Sequence, residues 1–98
     1  MKISFTDAAF CDMESIVDYY ETQGVPHIGT KFVVEIIKHI DILNDHPNIG
    51  RVVPEFNVEH IREIIHSPFR VVYLRENKSI KIIRIWRSER LLKLSEET

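Results

Sequence analysis

The chain has 98 residues, of which 44% are hydrophobic and 29% charged, with a formal net charge of −2. These values fit one ordinary globular domain over residues 1–98 and exclude disordered, collagen-like and low-complexity classes. The apolar runs break within a few residues, far short of the ~20 needed to span a bilayer, no apolar leader follows Met1, and the one cysteine, Cys11, suits a reducing compartment, so a cytoplasmic protein with no membrane partner is expected.

Ile3 and Phe5 alternate with polar neighbours over residues 2–5, the period of a short strand. Thr6 is a candidate N-cap with Asp7 in the first turn, and Ala9, Met13, Ile16, Val17 and Tyr20 then recur at helical spacing. Gln23, Gly24, Val25 and Pro26 interrupt that pattern, because glycine suits a left-handed C-cap and proline fits the first turn of a following helix. The second helix carries Ile28, Phe32, Ile36, Ile40 and Leu43 on one face and is expected to run to Asn44, where Asp45, His46 and Pro47 stop it.

Strand patterns follow. Residues 51–53 form a short candidate ended by Pro54, and residues 61–65 a second one, with Arg62 and Ile64 opposite Ile61, Glu63 and Ile65. Residues 69–74 and 80–86 are rich in β-branched and aromatic side chains and flank the polar turn Glu76-Asn77-Lys78-Ser79, which predicts a hairpin. Apolar residues on both faces, Val71 beside Val72 and Ile82 beside Ile83, mark these as central strands. Leu91, Leu92 and Leu94 make an apolar tail. The predicted fold is α+β: an N-terminal strand, an antiparallel helix hairpin packed on one face of a mostly antiparallel sheet, and a C-terminal β-hairpin.

Charge is unevenly spread. Residues 1–50 hold three basic and eight acidic side chains, whereas residues 51–98 hold ten basic and seven acidic. Arg84, Arg87 and Arg90 recur every third residue, followed by Lys93, which suggests a basic surface for an acidic partner; the competing reading is a strand edge guarded against aggregation by charge. Trp86 among these arginines could stack a base, or could be a core residue against an apolar helix.

Other constellations carry less. The histidines His27, His39, His46, His60 and His66 include no i, i+4 pair with a carboxylate base of the kind a zinc helix uses, so no metal is expected. Cys11 reads as a small buried hydrophobe of the first helix. Neither a GxxxxGK[ST] nor a GxGxxG sequence is present, so no nucleotide cofactor is expected.

The order of elements, with Leu43-Asn44-Asp45-His46-Pro47-Asn48-Ile49-Gly50-Arg51, Arg62-Glu63-Ile64, Phe69-Arg70-Val71-Val72-Tyr73 and Ile83-Arg84-Ile85-Trp86-Arg87-Ser88-Glu89-Arg90-Leu91-Leu92, resembles the RelE/ParE superfamily of bacterial type II toxin–antitoxin toxins. The resemblance implies a toxin, a cognate antitoxin and a toxin–antitoxin hetero-oligomer. It also implies one of two targets: DNA gyrase, bound and poisoned by ParE-like members, or ribosome-bound mRNA, cut by RelE-like endoribonucleases. A nuclease needs cations at the scissile phosphate and a group to move protons; Arg84, Arg87 and Arg90 would be the cations and Tyr73 the nearby hydroxyl. The RelE pattern places a functional tyrosine in the C-terminal segment, and no Tyr or His follows Trp86. The net charge also disfavours docking in an RNA-lined cavity. The ParE-like reading is therefore preferred, with Arg84, Trp86, Arg87, Arg90 and Lys93 as target contacts. One departure stands out: Arg87 occupies a position where histidine is frequent in ParE-like chains. A family member without toxicity, serving only as antitoxin partner, is the third alternative.

Overall fold

The computed structural model describes residues 1–87; Arg90, Lys93 and the leucine tail at 91, 92 and 94 lie outside the described residues. Strand β1 (Lys2–Phe5) ends where Thr6 caps α1 (Asp7–Thr22), its hydroxyl accepting the Ala9 amide at 3.1 Å. That bond satisfies one of the amides a helix leaves unpaired at its start, a contribution of about 1 kcal/mol. Gly24, at φ 81°, turns the chain in the left-handed region, and Pro26 opens α2 (Pro26–Ile40). The α-helix stops four residues short of the expected Asn44, since Asp41–Asn44 tightens into a 3₁₀ turn. The tighter winding still delivers Leu43 to the core, where it is fully buried.

Strands β2 (Arg51–Val52), β3 (Ile61–His66), β4 (Phe69–Arg75) and β5 (Ser79–Arg87) follow. The sheet order is β1-β5-β4-β3-β2, antiparallel except that β1 pairs parallel with β5. The two helices pack on one face. Ala9, Met13, Ile16, Ile36, Ile40 and Leu43 meet Ile64, Phe69, Val71, Tyr73, Ile80, Ile82 and Ile85 in one apolar core. Each large aliphatic side chain so buried contributes roughly 1.5–3 kcal/mol. No helix among the described residues is long and apolar enough to cross a membrane.

A single irregularity decides which side chains of β5 face the helices. Tyr73 pairs with Ile82 and Val72 with Arg84, so Ile83 is an extra residue in β5. Such a bulge inverts the alternation beyond it. Ile80 and Ile82 point into the core before the bulge and Ile85 does so after it, which sends Arg84 and Trp86 to the far face.

Candidate functional site

Past the end of β1, residues 83–87 of β5 run alongside α1. Thr6 begins the contact by donating its hydroxyl to the Ile83 carbonyl at 3.1 Å. One α-helical turn and a half later, Asp12 continues it: Oδ2 accepts the Ile85 amide at 2.8 Å and Arg84 Nε–H at 2.8 Å, and Oδ1 accepts from Arg84 Nη2 at 3.0 Å. A carboxylate thus takes the edge amide that a further strand would otherwise pair. The Asp12 hydrogen bond raises the Arg84 pKa above its ordinary value, keeping the guanidinium charged.

A cleft of about 360 Å³ opens at this edge, lined among others by Asp12, Ser15, Tyr19, Arg84, Trp86 and Arg87. Three of the five expected target contacts therefore surround one cleft, although the strand sends them to different sides. Arg84 and Trp86 lie on the far face, with the Arg84 guanidinium carbon 5.6 Å from the Trp86 ring centroid. Arg87 lies on the helix side, 4.9 Å from the centroid of Tyr19 and 5.4 Å from that of Phe69. Guanidinium groups favour such positions over aromatic faces. Among the described residues Trp86 is not part of the apolar core that the helices cover, where a core role would have put it; Arg70 stacks on it from the neighbouring strand at 5.6 Å, and Phe56 lies 6.4 Å away.

Beneath Trp86 is a charge network that the sequence pattern did not single out. Glu63 and Arg70 are only 1% and 3% exposed. Arg70 donates Nε–H to Glu63 Oε1 at 2.7 Å and both terminal nitrogens to Glu55 at 2.8 and 2.9 Å. Arg51 Nε–H reaches the other Glu63 oxygen at 2.6 Å. The Arg70 bond holds Glu55 below the usual carboxylate range, and the two carboxylates raise Arg70. The fork of Glu55 on Arg70 fastens the loop between β2 and β3 over this face.

Tyr73 stands apart from the cleft. It is fully buried on the helix side, and its hydroxyl accepts the Gly50 amide at 3.1 Å while donating to the Pro47 carbonyl at 2.9 Å. Burial raises its pKa, so it stays protonated. Gly50 is required there, because a Cβ would lie 2.5 Å from the Glu63 carbonyl and 2.7 Å from the Tyr73 hydroxyl. The Pro47–Gly50 segment of the family pattern thus closes over a core tyrosine. His60 is exposed before β3, and Cys11 is exposed on α1 where a buried thiol was expected. Among the described residues no group of three or more His, Cys, Asp or Glu could hold a metal ion.

Comparisons with known proteins agree with this architecture. A search of curated protein sequences finds no match. A solved structure described as the chromosomal ParDE TA system from P. aeruginosa is similar over 89% of this chain and 95% of that one, with 28% identity and a TM-score of 0.75. The family model for the ParE toxin of the type II toxin–antitoxin system parDE matches residues 3–92. Nearly the whole chain is covered, and it belongs to the ParE toxin family of type II toxin–antitoxin systems.

Proposed function

We propose that this toxin acts by binding and inhibiting DNA gyrase, and that a cognate antitoxin neutralises it in a hetero-oligomer. The cleft at the β5 edge, with Arg84, Trp86 and Arg87, is the described part of the gyrase contact; Arg90 and Lys93 continue it along the sequence. The antitoxin partner follows from the family and from the ParDE system to which the P. aeruginosa protein belongs.

The observation that carries inhibition by binding, over mRNA cleavage, is the state of Tyr73. A nuclease reading needs a group beside the cations to move protons, and the tyrosine assigned to it is sealed in the core with both hydroxyl hydrogen-bonding directions used. Arg84 and Arg87 can stabilise negative charge, but guanidinium groups do not exchange protons near neutral pH.

Supercoiling of relaxed plasmid by purified gyrase, with and without the protein and quenched with detergent, tests the proposal. Loss of supercoiling with linear DNA is expected, and the Arg84→Glu/Arg87→Glu double variant, if folded, should lose the effect. Unchanged supercoiling together with ribosome-dependent mRNA cleavage would move the assignment to the RelE-like activity. Absence of growth arrest on induction would leave a family member that serves only as antitoxin partner.

A further inference from the structure

Helix α2 meets the sheet through polar contacts as well as through apolar packing. His39, in the last turn of α2, places its Nδ1 2.9 Å from Nδ1 of His66, the last residue of β3, with ring centroids 5.1 Å apart. Facing ring nitrogens at this distance need one N–H and one lone pair between them. Two neutral rings satisfy that, and so does a neutral ring facing one imidazolium. Two imidazolium rings do not, because both Nδ1 atoms would carry hydrogens and two like charges would stand at contact distance.

The charged neighbours leave that conflict in place. Glu35 Oε2 on α2 is 3.9 Å from His66 Nε2 but is 41% exposed, so solvent weakens its attraction. Arg51 of β2 and Glu63 of β3 share a cavity wall with His39, but they are paired to each other at 2.6 Å. On β4 the partner of His66 is Phe69, and Arg87 of β5 lies over that ring, 5.4 Å from its centroid. Lys38 of α2 lines a different groove, with Val34 and Lys31.

We propose that His39 and His66 form a proton-operated clasp between α2 and β3, closed when the pair carries at most one extra proton and opened when both rings are charged. Burial, and then the facing His66, lower the His39 pKa from its ordinary value. The unfolded chain takes up these protons near the ordinary histidine value of ~6.5, whereas the folded pair resists the second one. The clasp therefore contributes its full stability above that value and loses it as pH falls through the lowered folded pKa. Acid thus loosens the seam between the helix hairpin and the sheet before it affects the apolar core.

Urea unfolding of the wild type, His39→Asn and His66→Asn across pH 5 to 8 tests this, since asparagine keeps a polar atom near the Nδ1 position and cannot become charged. The wild-type folding equilibrium constant should fall up to about thirtyfold between pH 8 and pH 5, the limit for one histidine barred from its proton. His39→Asn should flatten that fall, and His66→Asn should reduce it, since burial still opposes the charge on His39. NMR titration of the wild type should show His39 taking up its proton below the ordinary histidine range, and that step should move upward, without reaching the ordinary value, in a folded His66→Asn variant. Equal pH profiles in wild type and variants, or two independent ordinary titrations in the wild type, would overturn the clasp. Stabilisation by zinc or nickel at pH 7 that either variant abolishes would replace it with a metal-binding pair.

Discussion

On the helix side of β4, Phe69, Val71 and Tyr73 are buried in an apolar core; on the other side, Arg70 and Val72 are 3% and 0% exposed beside the carboxylate of Glu63. The same strand is sealed twice, once by non-directional packing and once by directed charge pairs. The apolar side tolerates changes that keep volume, since any well-packed hydrophobe fills the space. On the ionic side every member depends on its partners, because a buried charge left alone costs far more than the pair contributes. The candidate contact straddles this divide: Trp86 and Arg84 lie over the ionic layer, while Arg87 lies on the helix side over Tyr19 and Phe69.

Removing one charge from the ionic layer is the severest way to break that contrast. Glu63→Ala leaves buried Arg70 without one of its two carboxylate partners and should cost about 3–5 kcal/mol in chemical unfolding, whereas the volume-conserving Ile64→Leu on the helix side of β3 should cost under about 1.5 kcal/mol. Gly50→Ala comes next. Its Cβ would meet the Glu63 carbonyl and the Tyr73 hydroxyl at once, so a loss of about 1–3 kcal/mol in thermal unfolding is expected. Tyr73→Phe should cost about 1–2 kcal/mol by stranding the Gly50 amide, and it should leave gyrase inhibition unchanged if the tyrosine is structural. The smallest effect concerns acid. Glu55 has its pKa lowered by Arg70, so its contribution is present above the ordinary carboxylate range and is lost as pH falls through the folded value. Amide protection factors in the loop of residues 53–60, corrected for the intrinsic exchange rate, should therefore fall in acid, and Glu55→Gln should remove that dependence.

Local rules made most of the fold legible. Thr6 reads as a cap because its spacing to the first helical apolar residue is a local property, and the Gly24–Pro26 turn and the hairpin of β4 and β5 are equally local. Trp86 could not be placed this way, because alternation counted from Ile82 sends it toward the helices and only the extra residue at Ile83 reverses it. Nor could Asp12 be assigned to Ile85, a partner 73 positions away. Glu63, Arg70 and Glu55 look like ordinary solvated charges, since nothing in a single sequence reveals that a loop will cover them. The Pro47 and Gly50 pattern was visible, but its reason, the buried hydroxyl of Tyr73, required the tertiary structure.

The parallel pairing of β1 with β5 has a consequence for the order of events during synthesis. Thr6 binds Ile83, 77 positions later, so the first strand waits for the last one. At about 5–20 residues per second, a ribosome needs roughly 4–15 s to cover that separation. The helix hairpin can form within this interval, but the edge that carries Arg84 and Arg87 does not yet exist. A chain built in this order cannot present the proposed contact surface before it is almost complete.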